Sequence, residues 1–488
     1  MTLSPAAALA LQRAAVHREG APSIRLRRDR LDRLTLLLTR HADAIAAAVA
    51  EDFGTRPAGV GLMTDVLGPL PDIALLRARC RAWTAPRPVR GSSLMALPTW
   101  VERVPLGVVG VMGPWNVPVT LTLQPAAAAI AAGNRVVIKP SEHTPATAAL
   151  LAELVPQHFD AEELAVVTGD AEVAADFAAQ PWDHLFFTGS TRIGAKVAEA
   201  AGTNLVPVTL ELGGKNPAVL SPQILADDVP RAAARLMAGR LMNGGQICVC
   251  PDEVYVPREH LPAFLAAARE AATVSPIGLI HDAHLERVVG LVADAVRSGA
   301  KLHRRGHAPV TGATSAEDRS WVDRRTRVIE PLILTDVSAE MEIDTEEVFG
   351  PVLTVHAYDD VADVIERQVP RPAPLAASWF GPEGDAFAEF CRRVSCGAIT
   401  VDDVATHLTV PNAPFGGVGA SGTGAYHGRA GVERLSHART VTRSRAPFSA
   451  GAALSTPSAL TTTALRAGLR ATGAGVAASR RVTGWLRG

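Results

Sequence analysis

The sequence predicts an α/β protein: a parallel, doubly wound sheet in its first half and a second α/β domain after it. Three observations predict this. At 488 residues the chain is too long for one core, so two or three domains are expected. Short apolar runs alternate with helical patterns at the spacing of β–α–β units. Polar or glycine-rich segments follow those runs, at the carboxyl edge where such sheets bind ligands.

Residues 26–52 predict one amphipathic helix, with Leu31, Leu34, Leu37 and Leu38 at helical spacing between Arg and Asp. Residues 83–100 carry several Pro and a Gly, which reads as a crossing segment or extended arm. Residues 107–112 form the first strand, ended by Gly113-Pro114, and the Ala-rich stretch 126–132 is helical. Residues 135–138 form a second strand ended by Lys139-Pro140, then 145–154 a helix and 164–167 a third strand. Residues 184–187 form a fourth, followed by Thr188-Gly189-Ser190 and a helix through Ala201; residues 208–210 form a fifth. After Gly214 helices are expected at 226–243, 259–272 and 284–298, with strands at 253–256 and 332–334. From about Val441 the chain holds seven Arg and no acidic residue among Ala, Thr, Ser and Gly, which reads as a low-complexity tail, poorly ordered in part.

A net charge of -1 gives no electrostatic reason to expect nucleic acid. Five Cys are too few for a disulfide framework, and no metal site is expected. The start Met1-Thr2-Leu3-Ser4-Pro5 lacks a basic-then-apolar secretory pattern. No run of about 20 apolar residues suggests a membrane span. A reducing, cytoplasmic setting is the expectation.

The most informative pair is Cys248, in Asn243-Gly244-Gly245-Gln246-Ile247-Cys248, and Glu211, thirty-seven residues earlier in Glu211-Leu212-Gly213-Gly214-Lys215. Glycines leave both side chains approachable in a cleft, and a carboxylate of raised pKa can serve a thiol nucleophile as base. A core Cys and a surface Glu would look the same in isolation. In Met112-Gly113-Pro114-Trp115-Asn116 the Asn116 amide can donate toward an oxyanion; a turn residue after Pro fits equally. Lys139 and Glu142 can meet the hydroxyls of one ribose, where the carboxylate disfavours a 2′-phosphate. The turn Thr188-Gly189-Ser190-Thr191-Arg192-Ile193-Gly194 presents a helix N-terminus suited to a phosphate, although it lacks the usual glycine fingerprint. Glu347 and Phe349 suit a second ribose and a nicotinamide face, and turn chemistry alone fits them too.

These segments, in this order and with Pro414-Phe415-Gly416-Gly417-Val418-Gly419, resemble the aldehyde dehydrogenase superfamily from about Arg13 to Val441. The short N-terminal region and Gly424-Ala425-Tyr426-His427-Gly428 resemble the class 3 branch, and coniferyl aldehyde dehydrogenases most. The resemblance implies an NAD-dependent enzyme, with NADP possible, that oxidises aromatic or medium-chain aldehydes. It implies Cys248 as nucleophile, Glu211 as hydrolytic base and Asn116 as oxyanion donor. Met112, Gly113, Pro114, Trp115, Lys139, Glu142, Thr188, Gly189, Ser190, Gly194, Glu347 and Phe349 would border the cofactor. A coenzyme A-acylating enzyme or a non-catalytic binding protein are the rival readings, and the presence of both Glu211 and Cys248 argues against them.

The resemblance also implies the domains. Residues 1–84 and 104–213 would bind NAD, 214–412 would be catalytic, 85–103 and 413–440 would pair subunits in a homodimer, and 441–488 would be the basic tail. Three positions depart from the family pattern: Cys250 for a small residue, Asp402 for Asn, and Asn412 for Asp. Cys250 invites a reversible link to Cys248, but so short a separation is awkward for a disulfide. In the tail, Leu460, Leu465, Leu469, Val476, Val482, Trp485 and Leu486 lie among Arg466, Arg470, Arg480, Arg481 and Arg487. That pattern suits an anionic membrane surface. Gly468, Gly473, Gly475 and Gly484 weaken any helix by about 1 kcal/mol each relative to Ala. A tail packed on its own dimer, or disordered, is therefore expected instead.

Overall fold

The computed structural model describes residues 3–92, 97–272, 277–312, 318–445, 451, 455 and 459–485. Residues 93–96 of the arm, and Leu486 and Arg487 of the tail, lie outside the described residues. By internal contacts the chain forms two units: Met1–Ala85 with Arg103–His437, and Pro86–Glu102 with Ala438–Gly488.

The first unit opens with helices α1 (Pro5–Glu19), α2 (Ile24–Arg40), α3 (Ala42–Phe53), α4 (Ala58–Gly61) and α5 (Leu70–Thr84). The sequence reading lacked α1, although Ser4 caps it by accepting from Ala7 N and Pro5 occupies its first turn. The single helix expected over 26–52 is two, because the chain turns at His41 (φ -111°, ψ 21°). That turn lets both apolar stripes reach the core, Leu31–Leu38 from one helix and Ile45, Val49 and Phe53 from the other. The stretch Ala58–Thr84 is long and apolar enough to cross a membrane, contrary to the sequence expectation. Here it is α4, a π-helical turn over Leu62–Leu67, and α5, with Val66, Ile73, Leu76 and Cys80 packed in the core.

Strands β1 (Arg87–Pro88) and β2 (Thr99–Pro105) come next in the chain. Then follow β3 (Val108–Met112), α6 (Thr120–Ala132), β4 (Arg135–Lys139), α7 (Pro145–His158), β5 (Leu164–Val166), α8 (Ala171–Ala179), β6 (His184–Thr188), α9 (Thr191–Gly202) and β7 (Val208–Glu211). Strands β7, β6, β3, β4 and β5 lie side by side and parallel. The expected doubly wound sheet is therefore present. Its strands are apolar without alternation because helices cover both faces. One antiparallel strand, Gly422–Thr423, closes the edge against β7.

The second sheet is seven-stranded. In chain order it uses β8 (Pro217–Leu220), β9 (Glu253–Pro257), β10 (Lys301–His303), and the strands Leu332–Thr335, Val352–Tyr358, Ala376–Phe380 and Ala398–Val401. All pairs are parallel except the edge pair of β10 with Leu332–Thr335. The sequence reading found only two of these strands. The helix expected over 226–243 is α10 (Val229–Arg240), stopped by three consecutive left-handed residues, Asn243 (φ 51°), Gly244 (φ 66°) and Gly245 (φ 80°).

In the second unit β1, β2 and Ser436–Thr442 form a three-stranded sheet. Arg439 pairs with Glu102 at 2.7 Å. Part of the tail is helical. Ala459–Trp485 is one continuous helix, and its Leu465, Leu469 and Val476 are exposed. Alanine, leucine and arginine, the best helix formers, outweigh its glycines, and it contains no proline.

Candidate active site

The carboxyl ends of β3, β4, β6 and β7 deliver Met112, Lys139, Thr188 and Glu211 to one edge of the first sheet. Met112, Lys139 and Thr188 are buried there. After β3 the chain turns at Gly113, where a Cβ would stand 1.8 Å from Thr122 Oγ1. Only glycine lets the turn close and present Pro114-Trp115-Asn116. The Trp115 ring packs against Phe349 (5.4 Å between centroids), His284 (5.5 Å) and Phe53 (6.5 Å).

Asn116 is 4% exposed. Its Nδ2 donates to the Gln246 carbonyl at 3.0 Å, and its own carbonyl accepts from Asn243 Nδ2 at 3.0 Å. These reciprocal bonds lock the β3 loop to the loop carrying Cys248. An amide has two N–H donors, so one remains for a ligand.

Cys248 is partly exposed, on a loop shaped by Asn243, Gly244 and Gly245. A Cβ on Gly245 would sit 2.2 Å from the Gly350 carbonyl, which makes this glycine obligatory. Asp252 ties the loop down. It pairs with Arg240 at 3.1 Å and accepts from Val348 N at 3.0 Å, while Arg240 donates to the Gly245 carbonyl at 2.7 Å. Cys250 is buried with its thiol on the Gly239 carbonyl at 3.0 Å, which gives it a packing role.

Glu211 departs from the expectation of an exposed carboxylate in a cleft. It is 3% exposed, and neither carboxylate oxygen has a partner among the described residues. Burial pushes its pKa well above the ordinary carboxylate range. Burial, followed by the charges of Glu347, Glu211 and Cys250, likewise raises the Cys248 thiol. Burial and Asp252 push Glu347 up to about 8. These couplings place Cys248, Glu211 and Glu347 in one acid-rich site.

The residues expected to border a cofactor form a coherent lining. Lys139 Nζ lies 3.1 Å from Glu142. Gly189 N donates to the Glu211 carbonyl at 3.0 Å, and Ser190 caps α9. A Cβ on Gly194 would meet Leu212 at 2.6 Å, so α9 can approach β7 only with glycine there. Thr188 Oγ1 is buried without a partner, an orphaned polar atom that a ligand can satisfy. Lys139 with Glu142 suits the hydroxyls of a ribose. The residues present fit a dinucleotide.

Tyr426 was read from sequence only as a branch feature. It is 2% exposed, and its phenol is shifted upward by burial, then by Glu211, Cys248 and Asp72, so it belongs to the site. Its ring is held by Phe186, Phe415 and His427. Two departures from the family pattern are benign. Asp402 accepts from Gly381 N at 2.9 Å and Asn412 from Arg429 N at 3.4 Å. One cluster of metal-ligand type, Glu253, Asp344 and His356, exists among the described residues. Its carboxylates are already engaged by Arg371 and Arg367.

The comparisons with known proteins agree with this geometry. A profile of the aldehyde dehydrogenase family matches residues 6–441. A coniferyl aldehyde dehydrogenase of Pseudomonas sp. (strain HR199) is 39% identical over 432 residues, 87% of each chain. Aldehyde dehydrogenase family 3 member A2 of Rattus norvegicus is 34% identical over 436 residues, 85% of this chain and 84% of its own. A substrate-bound Staphylococcus aureus AldH structure superposes with a TM-score of 0.85 at 28% identity, covering 95% of this chain and 98% of its own. With a thiol, an unpartnered carboxylate and an amide donor gathered at the sheet edge and the family profile spanning nearly the whole chain, the protein belongs to the aldehyde dehydrogenase family.

Proposed function

We propose that this NAD(P)-dependent aldehyde dehydrogenase acts on aromatic, cinnamyl-type aldehydes in preference to medium-chain aliphatic ones. The observation that carries the reading is the 39% identity, along 87% of both chains, to a protein named for coniferyl aldehyde. The aromatic side chains of Trp115, Phe349 and Tyr426 at the site support it.

In the mechanism the geometry supports, Cys248 gives its thiol proton to Glu211, which passes it to solvent, and the thiolate Sγ bonds to the carbonyl carbon of the aldehyde as the carbonyl π pair moves onto oxygen. The oxyanion of the resulting thiohemiacetal is held by the second N–H of Asn116 and by the Cys248 backbone N–H. A nicotinamide held here would supply the hydride acceptor, and loss of hydride from the adduct leaves a thioester on Cys248. Glu211 then takes a proton from water, the hydroxyl adds to the thioester carbonyl, and the acid leaves as Cys248 is regenerated. Glu347 and the Lys139–Glu142 pair would hold the two riboses, Gly189 and Ser190 would border the pyrophosphate, and Met112, Gly113, Pro114, Trp115 and Phe349 would line the nicotinamide. An acylating reaction with coenzyme A needs no such base, and Glu211 supports hydrolysis.

The homodimer and the cytoplasmic setting belong to the same proposal. An aldehyde dehydrogenase of Rattus norvegicus named as dimeric and NADP-preferring, 33% identical over 431 residues, supports a dimer for this chain, and sedimentation at twice the mass of the 51.1 kDa chain is the check. Among the described side chains of the Ala459–Trp485 helix, Leu465, Leu469 and Val476 are the exposed large apolar ones, and three side chains of this kind support a tail without membrane contact.

NADH absorbance with a panel of aldehydes tests the substrate. Higher kcat/KM for coniferyl-type aldehydes than for octanal is expected, with no dependence on coenzyme A. NAD should outperform NADP because Glu142 would face the 2′ position of a bound cofactor; equal or better kcat/KM with NADP overturns that assignment. Cys248→Ala should abolish oxidation while NAD still binds, and Cys250→Ala should keep most activity. The reverse pattern would reassign the nucleophile.

Glu211 gives the pH dependence. Its carboxyl is neutral below its raised pKa and can accept a proton only above it. Steady-state kcat should therefore climb with pH through a range above that of an ordinary carboxylate. Glu211→Gln should still give an NADH burst but turn over slowly, with the climb gone and acyl-enzyme accumulating. An unchanged steady-state rate in that variant would remove Glu211 from the mechanism.

A further inference from the structure

Beneath Asn116 lies an ion pair that the chemistry above does not use. Arg56 and Asp65 have completely buried side chains and meet at 2.9 Å. Burial opposes both charges, lowering the arginine and raising the aspartate. A buried pair of this kind is weak evidence for stability, since apolar residues of similar volume often serve as well. Its remaining bonds show what it holds. Arg56 Nη1 donates to the Asn116 carbonyl at 3.1 Å. Asp65 Oδ1 accepts from Val119 N at 3.0 Å. The pair thus grips both ends of the turn from Asn116 to Val119. Thr64 bridges the two charges, donating to Asp65 at 2.8 Å and accepting from Arg56 at 2.5 Å. The guanidinium lies 4.9 Å from the Phe53 ring centroid, and Phe53 in turn packs on Trp115. Asp65 sits in the π-helical turn Leu62–Leu67, an irregularity often found at functional sites.

We propose that Arg56 and Asp65 are positioning residues that fix the Asn116 amide for the oxyanion. The Asn116 carbonyl takes two donors, Arg56 from one side and Asn243 of the nucleophile loop from the other. With the peptide fixed, the side chain reaches Gln246 and keeps its second N–H aimed at the site. Lysine at position 56 keeps the charge but lacks the fork that reaches Asp65 and Asn116 together. The inference rests on the oxyanion role of Asn116 proposed above.

The test measures the pre-steady-state NADH burst of the full chain with saturating NAD, together with NAD affinity by fluorescence quenching. Arg56→Lys should slow the burst by about ten- to a hundredfold, as a small misplacement of a catalytic group does. NAD affinity should stay within about twofold, and kcat should fall more than KM changes. In an Asn116→Ala background the same change should cost about twofold or less, because the group it positions is gone. Where Arg56→Lys does not fold, Asp65→Asn is carried through the same double-variant comparison. A full burst rate in Arg56→Lys, or an equal loss with and without Asn116, overturns the inference. A full burst rate in Asn116→Ala instead overturns the oxyanion reading itself.

Discussion

The site depends on a carboxylate that the fold buries and leaves without a partner. Removing Glu211 from water costs free energy that nothing in the described structure returns through a hydrogen bond. The strand end gives it no retreat. Its carbonyl accepts from Gly189 N, and the antiparallel strand Gly422–Thr423 pairs against it, with Leu212 N on the Ser421 carbonyl. The backbone on both sides is thus fixed while the side chain is starved of donors. Burial holds the proton on such a carboxyl to higher pH than on an exposed one, which strengthens it as a base once ionised. The nearby thiol is raised by burial as well, and the charge of Glu211 adds to its shift.

That arrangement requires the thiol to stay where it is, and the nucleophile loop is held from two directions. Asn116 reaches it through Gln246 and Asn243, and Arg240 and Asp252 hold it through Gly245 and Val348. Gly213 shows how close the second acidic segment lies, since a Cβ there would meet Glu347 Oε2 at 2.1 Å. The two sheets therefore meet through loops whose backbones have no room to shift.

Much of this was legible in the sequence because the strand-ending motifs are local. Gly113-Pro114-Trp115-Asn116 and Lys139-Pro140-Ser141-Glu142 sit directly after apolar runs, and a parallel sheet must gather such ends on one edge. The central strands Val352–Tyr358 and Ala376–Phe380 escaped because apolar runs buried on both faces carry no alternation to mark them. The break at His41 escaped because both flanking stretches keep helical spacing. Glu211 looked exposable because glycines follow it; its burial comes from strands and loops far away in sequence. Tyr426, Arg56 and Asp65 carry no local signal of function. Asp65 meets Val119 across 54 positions, and Tyr426 joins the site through packing by Phe186 and Phe415. The tail helix escaped because glycine content was weighed above its alanine, leucine and arginine.

A comparison among buried carboxylates separates the base from the scaffold. Asp65 accepts from Val119 N, Asp72 from Gly428 N and Asp252 from Val348 N. Each fastens a turn by taking a backbone N–H from a distant segment. Asp72, pushed up to about 6 by burial, holds the turn that follows Tyr426, where His427 adopts φ 71° and cannot relax without losing that bond. Three carboxylates thus spend their lone pairs on the fold. Glu211 spends none among the described residues, so both its oxygens are free to accept from a ligand or a water admitted to the site. An acid that the structure does not use as an anchor, set where the structure cannot move it, is the one the reaction can use.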